Sequence, residues 1–139
     1  MAKGPENTFI LSVHNHLPPT LYRMKNHNVY NAGVADVWYS GSAQDYWVEY
    51  KFITLPKRDE TVVDLCGGKD PLLSPLQQEW LKSRCHEGRN VAVVVGCKEG
   101  GVWLDNVDWM IPRTAGTFRE RLVSRKDLAH LIVDLTTIL

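Results

Sequence analysis

The sequence has no long apolar run, no cysteine pair at metal or redox spacing, no internal repeat and no net formal charge. Its longest apolar stretches, "VAVVVG" and "LAHLIVDL", fall well short of the ~20 residues a membrane-spanning helix needs. The opening "MAKGPENTF" lacks the apolar centre of a secretory leader. Both absences point to a cytoplasmic protein with no membrane partner. Cys66, Cys85 and Cys97 are widely spaced and have no histidines at finger distances, so reduced, incidental thiols are expected rather than a disulfide framework or a zinc site. Without repeat, heptad or low-complexity bias, 44% apolar and 23% charged residues describe an ordinary globular chain, and 139 residues make one domain, 1–139.

What is present is unevenly distributed charge. Residues 36 to 110 hold twelve acids against eight bases, whereas "IPRTAGTFRERLVSRK" holds five bases against Glu120 alone. A basic surface beside an acidic centre suits a polyanion held next to bound cations, although a solvated helix face has the same composition.

The apolar spacing predicts the elements. Phe9, Val13 and Leu17 recur at about one helical turn and stop at Pro18 and Pro19, which predicts a short opening helix. Thr20 to Gly33 reads as a loop or an irregular edge strand, with Gly33 able to take a positive φ. "VADVWYS" and "DYWVEYKFITL" predict a hairpin across "GSAQ", and Pro56 to Pro71 a polar loop. In "LSPLQQEWLKSRCHEG", Ser74 caps a helix, Pro75 opens it and Gly88 ends it. "RNVAVVVG" predicts a strand buried on both faces, with "GVWL" as its hairpin partner. Ser124 and Asp127 then cap a closing amphipathic helix with a stripe of Leu128, Leu131, Ile132 and Leu135, which is also a candidate dimer surface. The fold class is α/β, a central mixed sheet flanked by helices.

The stretch "DYWVEYKFI" raises the functional question. Side chains alternate along a strand, so Trp47, Glu49, Lys51 and Ile53 share one face and Val48, Tyr50 and Phe52 the other. Two charges in a partly apolar setting require a wet face, mutual pairing, or a ligand that offsets their desolvation. Asp36, in the preceding strand, can come beside Glu49 across the hairpin. Two adjacent carboxylates repel unless a divalent cation lies between them, and oxygen ligands select Mg²⁺, with Mn²⁺ able to substitute. Asp, then Glu-x-Lys, suits metal-assisted attack of water on a phosphodiester.

Taken in order, "GVADVWYS", "WVEYKF", "LSPLQQEWL" and "EGRNVAVVVG" resemble the PD-(D/E)XK nuclease superfamily, most of all its virus-type replication-repair (VRR-NUC) and Holliday-junction-resolvase branch. The resemblance covers residues 33 to 96 and implies a restriction-endonuclease-like core. It implies catalytic roles for Asp36, Glu49, Lys51 and Gln77, with metal ligation by Asp36, Glu49 and the backbone carbonyl of Tyr50. The implied function is a Mg²⁺-dependent DNA endonuclease from a phage or mobile element: a resolvase, a homing-type endonuclease or a nickase, acting as a homodimer or higher oligomer. The competing reading is a non-catalytic nucleic-acid-binding protein on the same fold. Ala35 stands where the family has proline, and the opening helix offers Ser12, His14 and His16 at its centre with Glu6 only at its start, which leaves the third ligand and a second metal open.

Several residues carry two readings. Glu49 and Lys51 also fit an exposed ion pair, and Gln77 stands at capping-box spacing from Ser74. Lys25, Arg113, Arg119 and Arg121 are candidates for gripping the nucleic-acid backbone, with His27 beside Lys25. The five tryptophans, 38, 47, 80, 103 and 109, are expected in the core rather than as base-stacking surfaces.

Overall fold

The computed structural model describes residues 4–26 and 33–138. Helix α1 (Gly4–His14) is followed by three antiparallel strands, β1 (Tyr22–Lys25), β2 (Val37–Ser40) and β3 (Asp45–Phe52). A two-residue strand β4 (Val62–Val63) and helix α2 (Pro75–His86) cross over to β5 (Val91–Cys97), which pairs with β3 in parallel. β6 (Gly100–Asp105) returns antiparallel to β5. A 3₁₀ turn (Asp108–Met110), β7 (Arg113–Thr114), α3 (Ala115–Arg121) and α4 (Arg125–Thr136) complete the chain. The main sheet has the order β1-β2-β3-β5-β6, and β4 pairs only with β7. This is the expected mixed sheet flanked by helices. His27 lies outside the described residues.

The alternation of β3 and β5 builds two separate cores. Val48 and Tyr50 with Ala92 and Val94 pack against Phe9, Ile10 and Val13 of α1 and Leu128, Ala129 and Ile132 of α4. On the opposite face Val91, Val93 and Val95 pack with Leu81 of α2 and Phe118 of α3. Every residue of β5 is buried, as a central strand with covered faces requires. Phe9 lies so close to the sheet that a Cβ on Gly96 would meet its ring at 2.8 Å.

Two expectations are corrected. The stripe of α4 does not form a dimer surface: Leu128 and Ile132 are buried in the chain's own core, with Leu135 packed at its margin. The polar stretch from Pro56 to Pro71 contains β4, held by the register Val62↔Thr114 and by Ala115 N–H donating to Thr61 O at 2.8 Å. The basic stretch after Ile111 includes helix α3, in keeping with its reading as a helix face, and Thr114 caps it, its hydroxyl accepting from Thr117 N–H at 3.2 Å.

His14 ends α1 against the sheet, its Nε2 2.7 Å from the Tyr39 hydroxyl, which lies 2.6 Å from the hydroxyl of Tyr50. Burial, then the nearby charges of Arg23 and Lys25, lower its pKa from the usual 6.5 to about 4. As pH falls through this window, the unfolded chain takes up a proton that the folded chain refuses, so stability is full above the unfolded value and declines toward the folded one. We expect wild type to lose more thermal stability than His14→Gln between about pH 7.5 and about pH 4.5, read as the difference between their melting curves. Parallel curves would show that His14 titrates normally.

Candidate active site

Glu49 sits in the middle of β3, 1% exposed, in a strand whose next neighbour on the same face is Lys51, 9% exposed. An ionised carboxylate there costs several kcal/mol unless each oxygen is compensated. One oxygen is. Glu49 Oε2 accepts from Gln77 Nε2 at 3.0 Å and pairs with Lys51 Nζ at 3.4 Å. Glu49 Oε1 is buried with no hydrogen-bond partner.

Two further carboxylates come to the same place. β2 joins the β3 ladder only from Val37, opposite Val48, so at Asp36 the chain has left β3, while its carbonyl still accepts from Asn26 N–H at 2.7 Å on the β1 side. There the Asp36 carboxylate takes the place of a ladder carbonyl and accepts the Tyr50 N–H at 2.9 Å. The N–H and C=O of one residue in a strand point the same way, so Tyr50 turns its carbonyl to this side as well. Glu6, in the first turn of α1, reaches the cluster from above the other face of the sheet. One carboxylate oxygen from each of Glu6, Asp36 and Glu49 lies within 4.8 Å of the others.

Three carboxylates against the single ammonium of Lys51 leave negative charge concentrated at a buried position. The Glu49 carboxyl is accordingly pushed well above the usual carboxylate range, first by burial and then by the charge of Asp36, with Lys51 opposing and Glu6 adding. The donor set is all oxygen, and Glu49 supplies a desolvated oxygen with no partner. These are the features of a site for a hard divalent cation such as Mg²⁺ or Mn²⁺.

Gln77 closes the capping box and also reaches Glu49. The capping box of α2 is closed: Gln77 N–H donates to Ser74 Oγ at 3.1 Å, and Gln77 Oε1 accepts from Ser74 N–H at 2.9 Å. Because the amide oxygen is held by the helix start, the amide NH₂ has to face outward, and it meets Glu49. The beginning of α2 is set beside β2 by Gly33, at φ +94°, where a Cβ would lie 2.7 Å from the carbonyl oxygen of Leu76.

The structure thus gathers Asp36, Glu49, Lys51, Gln77 and the Tyr50 backbone. It adds Glu6, which went unassigned because its distance from the motif residues is closed only by the docking of α1. Its available signal was modest, an acid in the first turn of a helix whose apolar face is Phe9, Ile10 and Val13. The basic candidates are less directly placed. Lys25 donates to Asn7 Oδ1, next in sequence to Glu6, and so stands at the rim of the cluster. Arg113 and Arg121 pair with Asp108, and Arg119 with Asp59, so these three guanidinium groups brace the β4–β7–α3 side of the molecule.

With this geometry in place, comparison with known proteins gives a likeness to solved structures. No family model matches the chain, and no curated protein matches its sequence. Among solved structures, the chain is similar to Hjc, a Holliday junction resolvase from the archaeal hyperthermophile Archaeoglobus fulgidus. The likeness is one of fold. It has a TM-score of 0.53 at 11% identity and covers 89% of this chain and 99% of that one.

Two outcomes follow. Added Mg²⁺ or Mn²⁺ should raise the melting temperature of wild type by linkage, while Glu49→Gln and Asp36→Asn lose that rise; Asp36→Asn should melt no lower than metal-free wild type, because it relieves repulsion. A metal-dependent rise that survives in Glu49→Gln would place the ion elsewhere. Ser74→Ala should cost ~1 kcal/mol of stability in chemical denaturation with metal affinity retained, whereas Gln77→Leu should lower both.

Proposed function

We propose that this protein is a Mg²⁺-dependent DNA endonuclease of the resolvase kind, within the virus-type replication-repair branch, working as a homodimer. The observation that carries the reading is the divided environment of Glu49: one oxygen is held by Lys51 and Gln77, the other is buried with no hydrogen-bond partner, and carboxylate oxygens of Asp36 and Glu6 gather at the same side chain. A purely structural ion pair has no use for the second and third carboxylates. The intact set also argues against a nuclease fold that has decayed into a binding module.

In this reading Asp36, Glu49, Glu6 and the Tyr50 carbonyl hold the cation, which when bound acidifies water and neutralises charge on the phosphate. Asp36 has a second task, because its hold on the Tyr50 N–H keeps that strand residue aligned with the site. Glu49 fixes the Lys51 ammonium through Oε2, and the short reach of that pair aims the ammonium at the scissile phosphate. Lys51 orients the attacking water and supports the negative charge that builds on the phosphate oxygens. Water oxygen bonds to phosphorus as the bond to the 3′ oxygen breaks; the water gives up a proton to solvent and the 3′ oxygen takes one from solvent, leaving a 5′ phosphate and a 3′ hydroxyl. Gln77 keeps Glu49 from rotating away from this arrangement. Lys25 at the rim is the first candidate for a neighbouring phosphate; Arg113, Arg119 and Arg121 would have to share their guanidinium groups with Asp108 and Asp59.

Plasmid cleavage tests this directly. Wild type should cut with Mg²⁺ or Mn²⁺, Lys51→Ala should be slower by about a hundredfold or more, and Ca²⁺ should support DNA binding with little cutting. Equal rates for wild type and Lys51→Ala would assign any cleavage to a contaminant or another site.

A further inference from the structure

The aromatic residues of this face do not behave as ordinary core. Trp38 pairs with Trp47 across β2 and β3, and Met24 with Trp38 across β1 and β2. Tyr22, Met24, Trp38, Trp47, Glu49 and Lys51 therefore all project from one face of the sheet. The rings form a continuous ladder: Tyr22 to Trp38 at 5.7 Å, Trp38 to Trp47 at 5.9 Å, and Trp47 to Trp80 of α2 at 5.5 Å. Trp47 and Trp80 rest on the α2-side core, but Trp38, Tyr22 and Met24 belong to neither core cluster. Tyr22 is 57% exposed and Met24 41%. Among the described residues, packing against the helices explains the inner end of the ladder and leaves Tyr22 and Met24 at its outer end exposed.

We propose that this ladder is a stacking platform for unpaired bases of the DNA strand whose phosphate lies at the carboxylate cluster. The proposal rests on the endonuclease reading and narrows its substrate to DNA with an unpaired segment beside the cut. Continuity carries it: Trp47 and Glu49 are successive residues on one face of β3, about 7 Å apart, so a strand engaged at Glu49 passes over the ladder. Charge points the same way. At the outer end Trp38 Nε1 donates to the Asp45 carboxylate at 2.7 Å, which disfavours phosphate there and suits uncharged bases. At the inner end the ammonium of Lys51 follows along β3, while the Arg84 guanidinium, 5.5 Å from the Trp80 ring centre, is taken up by Glu87. Bases are thus favoured on the ladder and phosphates toward the cluster. Aromatic platforms accept any base, because every base has a π face.

Fluorescence anisotropy in Ca²⁺ with labelled oligonucleotides tests the platform, comparing a fork that has an unpaired arm with a fully paired duplex of equal length. Tyr22→Ala and Trp38→Ala should each weaken fork binding about tenfold and change duplex binding by less than about twofold, and Tyr22→Phe and Trp38→Phe should match wild type. Circular dichroism checks folding, and the exposed Tyr22 decides the matter if Trp38→Ala unfolds. Equal losses on both substrates, or no loss on the fork, would overturn the proposal. So would a shift from dimer to monomer on sedimentation of the alanine variants, since the face would then be a subunit interface. Wild type that binds neither substrate and shows no Mg²⁺-dependent rise in melting temperature would remove the endonuclease reading together with the platform. Retained Mg²⁺ stabilisation and plasmid cleavage, with alanine variants indifferent to the fork, would sink the platform alone.

Discussion

A carboxylate buried in the central part of a sheet strand has to be compensated atom by atom, and the arrangement around Glu49 follows from that need. Gln77 and Lys51 satisfy one of its oxygens. The other has no hydrogen-bond partner, and the nearby charges of Asp36 and Glu6 worsen the electrostatics of the group. Concentrating negative charge where water is excluded lowers stability unless the protein is built to take up a cation, so the cluster's cost is itself an argument for its use. The elements that supply these groups are held by ordinary forces. α2 is fixed by its capping box, β2 leaves the ladder early enough to free the Asp36 side chain, and α1 is seated by Phe9 against Gly96 and Tyr50.

The two faces of the sheet divide the work. The α1 and α4 side is apolar and tightly filled, with a buried string of His14, Tyr39 and Tyr50 hydroxyl and imidazole contacts beneath the site. The α2 and α3 side carries Glu49, Lys51 and the aromatic ladder, and its core stops short of the outer strands β1 and β2. That incomplete cover makes the ladder's outer end accessible. The arginines after Ile111, suggestive of a nucleic-acid grip in composition, hold β4, β7 and α3 together through Asp59 and Asp108. Basic composition alone therefore did not locate a binding surface, because a guanidinium serves an internal carboxylate as readily as a phosphate.

Local rules made much of the fold legible from residues alone. The alternation of "DYWVEYKF" assigned Glu49 and Lys51 to one face, the Ser74-Pro75-Gln77 start defined α2, and the unbroken apolar run "VAVVVG" identified a strand covered on both sides. Each of these depends on neighbours within a few residues. Asp36 beside Glu49 was also within reach, since a short hairpin leaves few registers open.

Tertiary structure decided the rest, wherever a role depends on partners distant in the chain. Glu6 became a member of the cluster only when α1 docked, and α4 spent its apolar stripe on the core because the sheet offered it a complementary face. β4 exists through its pairing with β7, since two residues cannot make a strand alone. The tryptophans separated into core and surface by the extent to which helices cover each strand, which hydrophobicity along the sequence does not encode. The sequence by itself determined which residues lie on each face of each element. Packing between elements determined which of those faces meet, because that depends on docking over long separations rather than on local periodicity.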